Sequence, residues 1–371
     1  MSVKGYKAFN KGMICKGKQY KENTTYEENG NKICEAGVMH FCEEPFDVLN
    51  YYSLVDENGD ISDFADVEAV GDIYKREDKT ATNKLHIGAK LGLKGFIKAC
   101  VDFTIEKTRV EPIKDNGTDN NNNNSAKIGS SGGFAQIGSS GDFAQIGSSG
   151  DYAKIGSSGG FAKIGSSGDF AKIGSSGGFA KIGSSGGFAQ IGSSGDFAQI
   201  GSSGNSAQIG SSGDSAKIGS SGDSAKIGSS GNSAQIGSSG DSAQIGSSGD
   251  SAKIGSSGDF AQIGSSGDFA QITSEGKDSV IMAAGYSSVA RAKIGSWITL
   301  AEWLKTDRTD EKGNYIWKPK CVKTEYVDGK RIKEDTFYKL VDGEFKEIES
   351  EEQVKDEAER ARETLKKLLG L

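Results

Sequence analysis

Three side chains with metal-binding chemistry lie close together near the start of the chain: Cys34, His40 and Cys42, with Cys15 upstream. Thiolate and imidazole are the usual ligands of zinc. The spacing C-x5-H-x-C matches no closed zinc module, and no fourth ligand is evident. A Cys/His set buried in a strand is the favoured reading. Tyr51 joins Cys34, His40 and Cys42 as the residues that would form a site in this part of the chain. A second candidate is a series of aspartates in a repeated tract, Asp142 and its equivalents. The unit that carries them is similar in length and glycine use to the nonapeptide calcium repeat Gly-Gly-x-Gly-x-Asp-x-apolar-x. Here, however, the aspartate directly follows the second glycine, and Gly133, Gly160, Gly178 and Gly187 replace it outright. Hard cations need several converging oxygens. No nucleophile motif, phosphate loop or carboxylate pair stands out, and no cofactor is expected.

The third candidate is apolar. Phe134, Phe143, Tyr152, Phe161, Phe170, Phe179, Phe188 and Phe197 recur every nine residues; serine then holds the position from Ser206 to Ser251, and Phe260 and Phe269 resume it. Exposed apolar arrays of that extent mark interfaces. These ten rings are the expected interaction ladder, for self-association or for another protein.

The elements that must carry this ladder follow from the unit Ala-(Lys/Gln)-Ile-Gly-Ser-Ser-Gly-(Asp/Gly/Asn)-(Phe/Tyr/Ser). Isoleucine recurs at nine-residue spacing seventeen times, from Ile128 to Ile272. A disordered Gly/Ser spacer has no need of an apolar residue at fixed intervals, so the tract reads as a β-solenoid. Side chains alternate along a strand. A strand over Phe-Ala-Lys-Ile would put Ala and Ile inside, and the ring and Lys/Gln outside. Gly-Ser-Ser-Gly-Asp would then make the corner. Nine residues are too few for a closed coil, so two units per coil are expected: about eight coils and a rod of roughly 40 Å at about 4.8 Å per coil.

The flanks differ. Residues 1–113 read as a small α+β domain, with strands at 3–9, 64–70 and 85–91, a further strand from Lys32 to Cys42, a short helix opened by Pro45, and a helix over 94–107. Residues 114–125, with five consecutive asparagines at 120–124, read as a linker. The solenoid occupies 126–273. Residues 274–371 read as a β cap with a strand at 297–303, hairpins at Asp328-Gly329 and Asp342-Gly343, and a terminal helix over 351–369 with one apolar stripe. The fold class is therefore mainly β: a central solenoid between a small α+β domain and a cap.

Composition excludes several function classes. The 371 residues carry a net charge of −7 and a pI near 5.2, which argues against a partner held by phosphate contacts, so no nucleic acid is expected. No run of eighteen apolar residues suits a membrane span, and no membrane partner is expected. The first ten residues carry no apolar core and no cleavage-like site, and the cysteines are odd in number and widely spaced. Together these suggest reduced thiols and a cytoplasmic location.

At Lys4-Gly5-Tyr6-Lys7-Ala8-Phe9-Asn10-Lys11, Cys15-Lys16-Gly17, 34–42 and 45–52, the chain resembles an uncharacterised N-terminal domain of bacterial and prophage-encoded proteins with nonapeptide tracts. Those proteins similarly end in segments like 292–303 and 335–340. The family usually has one aromatic residue where Val38-Met39 precede His40. The resemblance implies a cytoplasmic or phage-associated setting and no particular activity. The tract also resembles, more distantly, the head repeats of trimeric autotransporter adhesins, which implies a solenoid. The leading expectation is a non-enzymatic structural or interaction protein whose rod presents side-chain ladders. The alternatives are an enzyme or nucleotide-binding activity in residues 1–113 with the rod as spacer, and a phage fibre or adhesin.

Overall fold

The computed structural model describes residues 2–30, 37–56, 60–76, 78–108, 118–121, 124–309 and 315–348. Each repeat contributes one strand of four residues that pairs in parallel with the strand two units away. Lys163–Ser166 lies between Gln145–Ser148 and Lys181–Ser184, with Ile146, Ile164 and Ile182 in register. Successive units thus alternate between two parallel sheets, two units per coil, as the sequence predicts. The isoleucines of both sheets face inward and are at most 4 % exposed, and the alanines beside them are as deeply buried. Each coil covers the apolar side chains of the next, which is what lets so thin a core persist.

The strand itself is shifted from the expected Phe-Ala-Lys-Ile. It runs over Lys/Gln-Ile-Gly-Ser, and the aromatic position lies in the turn before it. Isoleucine and the first serine point inward, while Lys/Gln and the following glycine point outward. The serines, expected at the corners, therefore split. The first is a buried strand residue; Ser157 Oγ, for instance, accepts the Gly159 N–H at 3.4 Å. The corner proper falls on the glycine after the second serine. A Cβ at Gly204 would be driven into the Gly186 carbonyl one coil back, and the same holds along both edges. The requirement there is for close backbone approach, not for a left-handed φ.

The ladder does not stop where the repeat drifts. Val280–Ala283, Val289–Arg291 and Trp297–Thr309 extend the two sheets, so the rod makes about ten turns over residues 127–300 rather than eight. Ile281, Ala283, Ala290, Ile298 and Leu300 keep the inward positions apolar, and this is all the coil requires. At the other end Thr118–Asn121, expected to be linker, is a strand pairing in parallel with Gln136–Ser139. Backbone pairing onto an existing sheet edge, to which side chains need contribute little, overrides the Asn-rich composition.

Both sheets end in antiparallel hairpins. Trp297–Thr309 pairs with Tyr315–Tyr326, and Phe337–Val341 with Glu344–Ile348 through the Asp342-Gly343 turn, at φ 52° and 73°. Asp328-Gly329 forms no hairpin; the Asp328 carboxylate instead accepts the N–H groups of Lys330, Arg331 and Ile332. The helix expected over 351–369 lies outside the described residues.

The N-terminal region builds a four-stranded antiparallel sheet in the order Val3–Phe9, Asp63–Ala69, Lys84–Lys90, Thr24–Glu27, with a small second sheet of Met39–Phe41, Thr80–Thr82 and Ile73–Lys75. Its helix α1, Gly92–Lys107, lies between the first sheet and the rod, with Phe96 stacked on Phe64 at 3.8 Å. No described helix is long and apolar enough to cross a membrane.

The two kinds of glycine predict opposite outcomes. Gly204→Ala should lower the thermal midpoint of the rod sharply, because the clash is with backbone. Gly156→Ala, with nothing within 4 Å of the new methyl, should be neutral or raise stability by up to about 1 kcal/mol. Circular dichroism melts of the two variants check this.

Candidate functional site

Three surfaces carry features beyond packing: two edges of the rod, its two flat faces, and a cavity in the N-terminal domain.

The rings line the edges. Phe134, Tyr152, Phe170 and Phe188 stack at the corner entering one sheet, and Phe143, Phe161, Phe179 and Phe197 at the corner entering the other. Centroids are 4.9–5.3 Å apart and planes within 15°. The spacing is the strand repeat itself. All eight are 41–63 % exposed. They stand at the corners rather than on the flat faces where the sequence reading put them. The last two differ from the eight. Phe260 is exposed, but Phe269 is 6 % exposed and meets Tyr286 edge-on, so it belongs to the cap and not to an exposed ladder. The aspartates run beside the rings along the same edges. Asp151 Oδ1 accepts the Asp169 N–H at 2.8 Å and Asp241 Oδ1 the Asp259 N–H at 2.9 Å. Each carboxylate is spent on the next coil's backbone, a structural role that accounts for Asp or Asn at this position. Among the described residues no three His, Cys, Asp or Glu side chains converge as a metal set would.

The two flat faces carry the same two outward columns, one of Lys/Gln and one of glycine, but their environments differ. On the covered face α1 lies along the glycine column. A Cβ at Gly129 would strike the Thr108 carbonyl, and one at Gly183 would meet Phe46 and Val101 at 3.2 and 3.4 Å. Alongside, residues 44–53 engage the Lys/Gln column. Lys163 Nζ pairs with Glu44 at 2.7 Å and Asp47 at 2.8 Å. Lys181 Nζ donates to the Phe46 carbonyl at 3.0 Å and Asn50 Oδ1 at 2.6 Å, Gln199 Nε2 donates to the Leu49 carbonyl at 3.0 Å, and Lys217 Nζ donates to Ser53 Oγ. Burial pulls Lys181 down to about 8, partly opposed by Asp47. At Lys163, Asp47 and Glu44 outweigh the burial and raise the amine's pKa.

Among the described residues nothing covers the open face in this way. Gly156, Gly174, Gly192, Gly210, Gly228 and Gly246 have nothing within 4 Å of a Cβ. Beside them stand Gln136, Lys154, Lys172 and Gln190, the same order as Gln145, Lys163, Lys181 and Gln199 on the covered face. Sequence reasoning missed this seat because it assigned the strand glycine to a corner. The signal was present: positions 136 to 199 read Gln, Gln, Lys, Lys, Lys, Lys, Gln, Gln at nine-residue steps, which two-unit coils deal equally to the two faces.

The N-terminal candidates separate. Cys34 lies outside the described residues. His40 and Tyr51 line a cavity of about 740 Å³ with Cys15, Tyr52 and Lys7. Cys42 also lines it but is buried, and packs with Phe46 and Cys100. Burial, with Asp47 and Asp78 nearby, pushes its thiol up to about 12, so it stays protonated. His40 is pushed down to about 4, first by burial and then by the charges of Lys79, Lys7 and Lys16.

Residues 3–99 match the model of a family described as a domain of unknown function (DUF7666). No curated protein and no solved structure matches the chain.

Two outcomes follow from the titrations. Iodoacetamide at pH 8 should leave Cys42 and Cys100 unmodified in the folded chain, since burial raises both thiols, while half-buried Cys15 reacts. Peptide mass mapping reads this. His40, depressed in the fold, destabilises the protonated state, so the N-terminal domain should lose stability as pH falls below about 6.5 and go on losing it towards 4. Unfolding midpoints across that range check the sign.

Proposed function

We propose that this protein is a non-enzymatic docking scaffold: a rigid β-solenoid whose ladders hold a partner protein or a second copy of the chain. One observation carries the reading. The open face repeats the Gln-Lys-Lys-Gln column and the glycine trough with which the covered face seats the chain's own N-terminal domain. A matching partner lays a helix with small or branched apolar residues along the trough and sets carboxylates and carbonyls over Lys154 and Lys172, as α1 and residues 44–53 do opposite. The two ring stacks run beside the same stretch of rod and add apolar area at its rims. A second copy packed open face to open face in parallel would bring its lysines beside identical lysines, which disfavours that mode.

A second reading is small-molecule binding in residues 3–99, whether as an enzyme or a binding domain. The cavity beside His40 and Tyr51 favours it.

Equivalence of the two seats is testable without knowing the partner. In the full chain, lysine acetylation read by mass spectrometry should modify Lys154 and Lys172 and spare Lys163 and Lys181. In a Lys163→Glu/Lys181→Glu variant the displaced domain should move to the open face, and Lys154 and Lys172 should become protected. If they stay as reactive as in the parent chain, the open face is not a seat.

A further inference from the structure

The cavity in the N-terminal domain contains a lysine for which the described residues supply no counter-charge, and burial lowers its pKa. Lys7, on the strand Val3–Phe9, is only 7 % exposed. Its Nζ donates to the His40 carbonyl at 2.8 Å and lies 5.5 and 5.9 Å from the rings of Phe9 and Tyr20. Cys15 is a further hydrogen-bond partner. No carboxylate within ion-pair distance of Lys7 is found among the described residues. Buried lysines are normally paired, because removing an ammonium from water is costly.

The rest of the lining adds to the excess of positive charge. Lys16, Lys18 and Lys79 also face the cavity, where Glu28 is the single carboxylate among the described residues. Glu28 is already held by Lys18 at 2.6 Å. Nearby, Glu43 is paired with Lys75 at 2.8 Å, and Asp78 accepts from Asn50 at 3.3 Å. Asp78 also bonds the Tyr51 hydroxyl at the cavity wall, and the charges of Lys79, Lys7 and Lys16 help keep His40 neutral. The remaining wall is ring and thioether: Tyr20, Tyr51, Tyr52, Phe41 and Met39. Lys79 Nζ sits 5.0 Å over the Tyr51 ring. Tyr52 donates its hydroxyl proton to Cys15 Sγ at 3.1 Å.

We propose that this cavity binds a small organic oxyanion, a carboxylate or phosphate on a planar apolar body, with Lys7 as the buried counter-ion and Lys16 and Lys79 at the mouth. The oxyanion supplies the charge that Lys7 lacks, and the aromatic wall accepts the body. The cavity of about 740 Å³ has room for a ligand of this class. This inference rests on the small-molecule reading above and adds the chemical class.

The test is calorimetry on the full chain with phenyl phosphate, benzoate, inorganic phosphate and phenol. Phenyl phosphate or benzoate should bind, and whichever binds more tightly identifies the headgroup; phenol, of the same shape without the charge, should bind about tenfold more weakly or worse. Lys7→Met removes the charge but keeps the bulk, and should cost about tenfold or more in affinity without lowering the circular dichroism melt. Should Lys7→Met fail to fold, Lys79→Met at the mouth gives the same reading with a smaller loss. Binding should also move the His40 imidazole resonances, which a purely structural role for Lys7 would not do. Phenol binding as well as phenyl phosphate overturns the anion assignment and leaves a small-molecule site. Unchanged affinity in both lysine variants overturns the role given to Lys7. Absence of binding by all four probes overturns the assignment and the small-molecule reading together.

Discussion

The constraint behind this architecture is that each residue of the repeat tract sits on its own counterpart eighteen residues earlier. Parallel strands in register allow only that neighbour, at the spacing of a β ladder. Isoleucine packs on isoleucine, which makes a continuous core from a very short unit. Each corner glycine lies against the corner glycine of the previous coil, where no Cβ fits. Aspartate accepts the next coil's N–H, and rings stack at the coil spacing. The repeat is conserved within the chain because one ladder multiplies any misfit by its neighbours above and below.

The same stacking makes the outer faces unusually plain. Alternate outward positions on a strand are glycine, so each face is a column of long polar side chains beside a bare strip of backbone. Such a strip lets a helix approach closely, and α1 uses one strip in this way. Lysines on the adjoining column then become partly desolvated, and they are satisfied by Glu44, Asp47, Asn50 and the Phe46 carbonyl. The opposite strip has the same chemistry, and no described residue covers it. The two faces are nearly identical in sequence and differ in what packs on them.

The N-terminal domain combines both kinds of site. Its helix buries one side against its own sheet and the other against the rod. It also encloses a cavity in which, among the described residues, lysines outnumber carboxylates. The seat and the cavity share residues 44–52 as a common wall, since Val48 and Tyr51 line the cavity while Glu44, Asp47 and Asn50 hold the rod.

Much was legible from the residues alone. Isoleucine at nine-residue spacing was enough to specify a solenoid, because only an apolar residue in every unit can build a core. The coil size followed from the reach of the chain. Proline 45 and the apolar stripe of 94–107 marked a short 3-10 turn and α1 where they occur. Strand phase was not legible: alanine and glycine both suit either a turn or a strand, and the choice fell to which frame lets the backbone stack coil on coil. That one-frame difference moved the rings to the edges and exposed the glycine strip. Phe269 and Phe260 have identical local sequence, yet one is buried, because Tyr286 of the cap happens to meet it. The pairing of Lys163 with Glu44 and Asp47 spans more than a hundred residues, and the isolation of Lys7 depends on which side chains the folded domain leaves out. Periodicity determined the rod; which face α1 covers, and which side chains surround Lys7, are properties of distant segments brought together and only the tertiary structure decided them.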